Sequence, residues 1–430
     1  MKRLHAATLC SLLAIASCRG RRDRPASDGP ARDPTESTTT PTATNAIVPV
    51  RAAEGSQPRW RYLARGARPR GRERWRFDLT PREGLGEPAT DGRTVFLTAS
   101  RQEPEGPTDG EVFAFDLEDG TLRWHTPVEG LHGEPVEVYD GLVVVDTIPH
   151  CKRRGPETPG VTTRPCEETA PGGVVGLDAT TGRERFRSAA SSEALHARWT
   201  AALVGASLWI HDGVDALRSL TPPTWRPGPR VATGGVVLNL TSIGGDALFT
   251  ATNRSGATRV VRRTPGVSRP RWERTLPLRT RCPPVMAGAV IVLPAFESSI
   301  VSGSARALLA TDGADIWTGQ TAPHSVSTCG AIEGAVHYQV VDDHLVENLV
   351  TDGRRRADVA LPVAMTGDAS ALMDGVFYVC ARGRLAGVDV VGGHLAVSVD
   401  TGAASCEGMI IWGGRGVVVT RDPSLVVGFD

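Results

Sequence analysis

Cysteines are the residues of this chain whose chemistry is easiest to specify from sequence. Eight are present, and six of them lie beyond the first 18 residues: Cys151, Cys166, Cys282, Cys329, Cys380 and Cys406. An even number of cysteines in an exported chain favours disulfide bonds over free thiols. Zinc knuckles need cysteine pairs separated by two residues, and the sequence has no such pair. We therefore expect these six cysteines to form disulfides and expect no metal site.

The N-terminal segment predicts both export and a covalent modification. Residues 1–18, MKRLHAATLCSLLAIASC, open on basic residues and continue as an apolar stretch too short to be a stable anchor by itself. The stretch ends in Ile15-Ala16-Ser17-Cys18, which resembles the bacterial lipobox, in which the cysteine thiol takes a diacylglyceryl group. We predict a lipoprotein signal peptide over 1–18 and lipidation at Cys18, with ordinary cleavage nearby as the alternative. Acyl chains on Cys18 would anchor the chain without a spanning helix. In the bacterial lipoproteins that this segment resembles, Asp after the cysteine favours the inner membrane, so the resemblance implies that Arg19 favours the outer membrane.

Motifs that mark an enzyme are missing from the sequence. It contains no HExxH metal-binding motif, no phosphate-cradling loop and no GxSxG in a strand-to-helix context. The segment Asp116-Leu117-Glu118-Asp119-Gly120 looks like a fragment of a calcium loop, but the remaining ligands do not follow it. We expect these carboxylates in a turn, and we expect no catalytic residue and no cofactor.

Composition narrows the class of protein further. Lys plus Arg and Asp plus Glu both number 48, which argues against nucleic-acid binding driven by bulk charge. Hydrophobic residues make up 40%, enough for a large core, while 48 Gly and 31 Pro indicate many turns and few long helices. No apolar run after residue 18 is long enough for a membrane-spanning helix.

Residues 19–72 are predicted to be a disordered tether. The segment is rich in Pro, Thr and Arg and has no periodic apolar spacing, so it cannot bury a core. Its C-terminal part overlaps an Arg-rich neck, RWRYLARGARPRGRERWR at 59–76. The neck has two interpretations: contact with anionic lipid head groups, or a solvated linker end that runs into the first strand.

From residue 73 onward the chain repeats one unit. The clearest copies are EVFAFDLEDGTLRWHT at 111–126 and GVVGLDATTGRERFRS at 173–188. Each has apolar alternation followed by an Asp, a Gly and an aromatic residue at fixed spacing: Asp116, Gly120 and Trp124, then Asp178, Gly182 and Phe186. A later, worn copy leads from Asp312-Gly313 to Trp317. We expect the Asp to bond turn amides, the Gly to adopt positive φ, and the aromatic ring to fill the seam between units.

A second recurring motif indicates the number of units. A Gly turn before a strand rich in Val and Ile recurs eight times, at 91–97, 140–146, 204–210, 244–250, 287–293, 333–339, 374–380 and 413–419. Units of about 40–50 residues with four strands each are propeller blades. The longest spacing contains an insertion at about 147–172, which carries Cys151 and Cys166.

The two ends of the repeat region complement each other. The chain stops at LVVGFD, 425–430, an Asp-bearing strand that lacks its turn, and begins at RERWRFD, 72–78, an aromatic strand that lacks its predecessor. Joined, they complete one blade and remove the open sheet edge. We therefore predict an all-β fold over 73–430: an eight-bladed β-propeller of four-stranded blades, closed by the N- and C-terminal strands in one blade. Seven blades are the alternative, because the third, fourth and sixth copies are degenerate. The tether would then leave from the outer rim.

The repeat register also suggests how the cysteines pair. Cys282 and Cys329 occupy nearly equivalent positions in adjacent units, shortly before the Gly turn. Cys406 lies near that same slot, and Cys380 ends a strand of the preceding unit. We predict the pairs 151–166, 282–329 and 380–406, of which the first would staple the insertion and the others would tie blades together.

The segments AFDLEDGTLRW and GLDATTGRERF resemble the repeats of quinoprotein-like (PQQ-like) β-propellers. Lipobox, tether and eight units together are similar to the plan of the BamB family of outer-membrane assembly lipoproteins. This resemblance implies a non-catalytic protein-binding scaffold in the cell envelope, lipid-anchored at the periplasmic face of the outer membrane, with a monomeric body. The partner implied is an envelope protein such as an outer-membrane β-barrel or its assembly machinery.

Two alternatives to the scaffold remain open at the level of sequence. One is a glycan-binding envelope lipoprotein, for which aromatic rings along a shallow groove would be evidence. The other is a PQQ-dependent dehydrogenase, since the repeats resemble that superfamily. Those enzymes carry an adjacent Cys-Cys pair near the cofactor, and no two cysteines are adjacent here.

Overall fold

The chain folds as a β-propeller. The computed structural model describes residues 64–65, 68–80, 82, 84–100, 109–131, 136–139, 141–147, 150–153, 166–170, 172–189, 201–212, 215–252, 257–276, 284–293, 305–319, 330–341, 344–361, 370–381 and 383–430. These residues form eight blades of four main strands each, arranged in a ring, which confirms the predicted fold class and blade number. Among them there is no helix long and apolar enough to cross a membrane.

The first blades follow one another along the chain after two short N-terminal strands, β1 (Ala64–Arg65) and β2 (Glu73–Asp78). Blade 1 contains β3 (Gly84–Leu85), β4 (Ala89–Thr90), β5 (Thr94–Ser100), β6 (Asp109–Asp116) and β7 (Leu122–Glu129). Blade 2 begins with β8 (Val136–Tyr139) and β9 (Leu142–Thr147), is interrupted by the hairpin of β10 (His150–Arg153) and β11 (Cys166–Ala170), and ends with β12 (Gly173–Asp178) and β13 (Glu184–Ala189). Blade 3 contains β14 (Ala201–Val204), β15 (Ser207–His211), β16 (Ala216–Thr221), β17 (Arg226–Pro227) and β18 (Val231–Ala232).

The remaining blades have regular four-stranded order. Blade 4 contains β19 (Val236–Ile243), β20 (Asp246–Thr252), β21 (Thr258–Arg263) and β22 (Trp272–Leu276). Blade 5 contains β23 (Val285–Ala287), β24 (Val290–Leu293), β25 (Arg306–Leu309) and β26 (Asp315–Thr318). Blade 6 contains β27 (Ala331–Glu333), β28 (Val336–Val341), β29 (His344–Leu349) and β30 (Arg355–Ala360). Blade 7 contains β31 (Ser370–Met373), β32 (Val376–Ala381), β33 (Arg384–Asp389) and β34 (Leu395–Asp400), and the chain ends with β35 (Ser405–Trp412), β36 (Arg415–Arg421) and β37 (Leu425–Phe429).

Blade 8 closes the ring from both ends of the repeat region. Its strand order is β1-β35-β36-β37-β2, so the N-terminal strand β2 pairs antiparallel with the C-terminal strand β37. Reciprocal backbone hydrogen bonds between Arg72 and Asp430, of 3.0 and 2.9 Å, extend this pairing. The predicted composite blade is therefore confirmed.

Burial along the strands follows from packing between blades. The second strand of a blade is covered on both faces by neighbouring sheets, so every residue of β5 and β9 is buried. Only the outermost strands, such as β2 and β30, alternate between exposed and half-buried positions. The core consequently lies between blades: Tyr378 of blade 7, for example, packs in one cluster with Val418 and Phe429 of blade 8.

The eight predicted Gly turns all join the first strand of a blade to its second. In an antiparallel meander this turn and the turn from third to fourth strand lie at the same end of the sheet. We call the end of the ring that carries both turns of every blade the turn face.

The N-terminal segment reaches the turn face on the inner side of the ring. β1 pairs parallel with the end of β35, at Ile411 and Trp412, on the edge opposite β36. Arg68 donates a hydrogen bond to the carbonyl of Asp374 in the first turn of blade 7. The prediction that the chain leaves from the outer rim was therefore wrong for residues 64–72: β2 is outermost, but the residues before it run inward, because a free edge of β35 is available there for pairing.

One of the three predicted disulfides is seen directly. Cys380 of β32 and Cys406 of β35 are bonded, with their Cα atoms 5.8 Å apart, and they tie blade 7 to blade 8. Cys151 and Cys166 lie on the two strands of the inserted hairpin, in which Arg153 pairs with Cys166 and Cys151 with Glu168. Their side chains, together with Cys282, Cys329 and Cys18, lie outside the described residues, so those pairings and the lipidation stay predictions.

Candidate functional site

Four of the seams between blades are built from a tryptophan on one blade and a turn glycine on the next. An added Cβ at any of four such glycines would come within 2.5–2.6 Å of an indole carbon, so each ring lies directly on the turn. The pairs are Trp75 with Gly120, Trp124 with Gly182, Trp272 with Gly313 and Trp317 with Gly353. Each of these glycines also has positive φ, which a side chain would strain. The predicted aromatic and Gly positions are thus brought together between blades rather than within one.

A hydrogen bond completes each of these four seams. The indole N–H donates to the carbonyl three residues before the glycine: Leu117 at 3.4 Å, Ala179 at 3.0 Å, Ala310 at 2.8 Å and Val350 at 2.6 Å. A buried donor that lacked such a partner would cost stability, so the register between ring and turn is well defined. These residues hold the ring closed and have no free group for chemistry.

The predicted Asp positions organise the turns. The Asp116 carboxylate accepts the Glu118 amide at 2.8 Å and bonds Arg123, and the Arg123 guanidinium together with that amide holds its pKa below the ordinary value. Burial alone would raise the pKa of Asp178, but hydrogen bonds from Thr181 and Thr180 lower it overall. Both carboxylates are therefore charged, structural acceptors.

The calcium-like segment of blade 1 does not form a cation site. Glu118 reaches across to Arg415 of blade 8 at 2.7 Å and to Arg74 at 3.2 Å, while Asp119 accepts the Thr121 amide at 2.9 Å. The carboxylates of the segment thus point to different partners. Within the described ranges no group of three or more His, Cys, Asp or Glu side chains is arranged to hold a metal ion.

The seam between blades 2 and 3 departs from this pattern. The outer strand of blade 2 supplies Phe186 instead of tryptophan, and the turn of blade 3 supplies Trp225 in the glycine slot. The Trp225 amide donates to the Thr221 carbonyl at 2.9 Å, as the Gly182 amide does to Asp178 at 2.8 Å, and Trp225 has φ of +52°. The two rings stack with their centroids 4.7 Å apart and their planes 25° apart.

A pocket opens on the turn face beside this exceptional seam. Its volume is about 480 Å³, within the roughly 300–1,000 Å³ typical of ligand sites. Blade 2 contributes Tyr139, Gly141, Leu142 and Arg185, and blade 3 contributes Leu203, Gly205, Ala206, Leu208, Pro222, Pro223 and Trp225. We call this the blade 2–3 pocket. Its walls are mostly aliphatic, aromatic or proline.

Charged side chains are few among the described lining residues of the blade 2–3 pocket. Arg185 is the one charged residue among them; the side chain is 59% exposed and reaches Asp178 at 3.0 Å. The Tyr139 hydroxyl is engaged within the protein, by the carboxylate of Glu137 and the carbonyl of Ala201. A ligand would thus meet a partly polar wall of mainly apolar side chains, with the paired Arg185 at its edge.

Sequence reasoning identified the aromatic and glycine positions of the repeat but did not identify this pocket. Phe186 was identified as an ordinary aromatic position, and the turn Thr221-Pro222-Pro223-Thr224-Trp225 has neither the Asp nor the Gly of the repeat. The available signal was the five-residue spacing of that turn after the strand β16, which matches the turns of blades 1 and 2.

Comparisons with known proteins agree with the architecture. A family model described as outer membrane protein assembly factor BamB matches residues 62–204. No match was found among curated protein sequences. The crystal structure of BamB from Moraxella catarrhalis is similar with a TM-score of 0.56 and 14% identity, covering 83% of this chain and 97% of that one.

Two further structures share the fold. The computationally designed Ika8 protein has a TM-score of 0.58 at 13% identity, over 84% of this chain and all of its own. A europium-containing methanol dehydrogenase has a TM-score of 0.55 at 12% identity, over 86% of this chain and 87% of its own. Since a designed protein and an enzyme share this ring, the ring alone does not assign an activity.

Proposed function

We propose that this chain, which is built on a PQQ-like β-propeller, is a non-catalytic protein-binding scaffold of the bacterial cell envelope. The match of residues 62–204 to the family described as an outer-membrane protein assembly factor supports this proposal. Its partner is an envelope protein, such as an outer-membrane β-barrel or its assembly machinery. The lipid on Cys18 anchors it at the periplasmic face of the outer membrane.

The observation that carries the proposal is the chemistry of the turn face. Most described lining residues of the blade 2–3 pocket are aliphatic, aromatic or proline, their surface is partly polar, and Arg185 is the one charged residue among them. Apolar and aromatic pockets with a polar rim are characteristic of protein interfaces, whereas acid–base catalysis needs convergent titratable groups. A rigid ring with inter-blade seams closed by tryptophans suits a platform that holds a partner without changing shape.

Crosslinking in cells tests this function. The full-length protein is crosslinked in the membrane under mild conditions, purified, and its bound proteins are identified by mass spectrometry. Reproducible recovery of an outer-membrane β-barrel or an assembly component is the expected result. A preparation without any reproducible partner would contradict the scaffold.

A Cys18→Ser variant tests the anchor separately. Metabolic labelling with an alkyne fatty acid should label the wild-type chain and leave the variant unlabelled. Fractionation should place the wild type with outer membranes and release the variant into the periplasm. Equal labelling of both chains would refute lipidation at Cys18.

A further inference from the structure

The blade 2–3 seam lacks a feature that four other seams have. In those seams an indole N–H from the preceding blade donates to the carbonyl three residues before the turn glycine. In blade 3 the same position is the carbonyl of Pro222, three residues before Trp225. Phe186 has no ring donor, and no side chain in the described part of the chain donates to Pro222. Pro222 instead lines the blade 2–3 pocket.

The turn itself is adapted to form a wall. Trp225 has a positive φ that glycine adopts freely in the equivalent turns, so a bulky residue here works against the backbone preference. Its ring is held by stacking on Phe186. The result is an aromatic surface beside Pro222 and Pro223, which together form one side of the pocket.

From these observations we propose that the blade 2–3 pocket receives an aromatic side chain of a partner protein. The ring packs against Trp225 and the prolines, and its N–H or O–H donates to the Pro222 carbonyl, as tryptophans of this chain do in the other seams. An acidic residue beside that aromatic residue shares the exposed Arg185 guanidinium with Asp178, which Arg185 already contacts at 3.0 Å. This inference rests on the scaffold function and identifies the chemistry of the partner.

A glycan fits the pocket less well than an aromatic side chain. Sugar recognition needs several free hydrogen-bonding groups around the ring stack, because each buried hydroxyl must be satisfied. The Tyr139 hydroxyl already has partners in Glu137 and Ala201, and Arg185 is the other polar side chain among the described lining residues. The ring of Trp225, the two prolines and the Pro222 carbonyl match an indole or a phenol better.

A labelled peptide tests the inference directly. The probe is the acetylated, amidated hexapeptide GDWDSG containing 5-fluorotryptophan, titrated with the purified propeller and followed by fluorine NMR. The expected result is a saturable shift of the fluorine signal. Trp225→Gly, which supplies the residue that the backbone prefers, should weaken binding by about tenfold or more, as loss of an interface hot spot does.

A blocking variant provides an independent measurement. Ala206 is exposed in the first turn of blade 3 and lines the pocket, whereas Ala335 occupies the same exposed turn position in blade 6. Ala206→Trp should abolish peptide binding, and Ala335→Trp should leave it unchanged. Arg185→Glu should weaken binding, whereas Arg187→Glu, two residues along the same strand and outside the pocket lining, should not. Absence of binding to the wild type, or equal binding by Ala206→Trp, would overturn the inference.

The same variants separate this inference from the scaffold function. In the cellular crosslinking experiment, loss of the partner from Ala206→Trp but not from Ala335→Trp would support both. Equal recovery of the partner by both variants would leave the scaffold standing and refute the pocket as its docking site. A wild-type chain that recovers no partner would refute the scaffold, while the peptide titration still decides what the pocket binds.

Discussion

The indole ring of Trp124 lies directly on Gly182, in the turn of the next blade. An added Cβ on Gly182 would come 2.6 Å from the Cε3 atom of that ring. The indole N–H meanwhile donates to the Ala179 carbonyl at 3.0 Å in the same turn. Glycine is therefore favoured at position 182 for two reasons. Its backbone adopts positive φ, and its missing side chain leaves room for the Trp124 ring.

Replacement of this glycine should therefore cost more than backbone strain alone. We expect Gly182→Ala to lower the free energy of unfolding by about 1–3 kcal/mol beyond a strain-only control, since the methyl group would overlap the Trp124 ring. The control is Gly402→Ala, because Gly402 has nearly the same φ, +72° against +70°, with no atom within 4 Å of its Cβ position. Urea denaturation of both variants measures the difference. Equal losses of unfolding free energy in the two variants would mean that the Trp124 ring moves aside at no energetic cost.

The hydrogen bond of a seam can be removed while an aromatic ring is kept in the same position. Trp317 is 9% exposed and donates to Val350 at 2.6 Å. We expect Trp317→Phe to destabilise the protein by about 1–3 kcal/mol, because the Val350 carbonyl loses its partner while most of the apolar packing remains. Thermal unfolding followed by circular dichroism measures the loss. A variant as stable as the wild type would show that the indole N–H contributes nothing net.

The disulfide between Cys380 and Cys406 should stabilise the junction at which the ring closes. It links residues 26 apart in sequence and joins blade 7 to blade 8. We expect the double variant Cys380→Ser, Cys406→Ser to lose about 2–4 kcal/mol, the usual range for a native disulfide. Non-reducing peptide mapping should recover the linked pair from the wild type. A reducing agent should destabilise the wild type more than the double variant, because the variant retains only the two other predicted disulfides.

A buried histidine predicts sensitivity to acid. His337 in blade 6 is fully buried, neither ring nitrogen has a partner among the described residues, and burial lowers its pKa to about 4. Because the pKa is lower in the folded chain than in the unfolded chain, the neutral ring contributes its full stability above about pH 6.5. That contribution is lost as the pH falls from there toward 4.

Substitution of this histidine should remove that part of the acid response. As the pH falls from 6.5 to 4, we expect the free energy of unfolding of the wild type to decrease by up to about 3 kcal/mol more than that of His337→Leu, because a leucine has no proton to take up. Urea denaturation across this pH range measures the difference. The exposed His125 is the control, and His125→Gln should keep the response of the wild type. Parallel curves for wild type and His337→Leu would contradict a buried neutral ring.

Much of the ring follows from local pattern. Each Gly turn before a Val-rich segment marked the start of a second strand, because positive φ and β-branched residues act over a few neighbouring positions. The complementary ends predicted the pairing of β2 with β37, since an unpaired edge in a closed ring is costly. Cys380 and Cys406 were paired from the same register.

Strands, turns and the number of blades can be read from the amino-acid sequence, because they depend on short-range periodicity and backbone preference. The contacts between blades cannot, because they join residues far apart in sequence. The sequence could not place β1 on the inner edge of β35, since two residues carry no periodic signal. Nor does the sequence reveal that Phe186 stacks on Trp225, which holds the turn position that glycine holds in other blades. This stacking depends on the packing of one blade against the next.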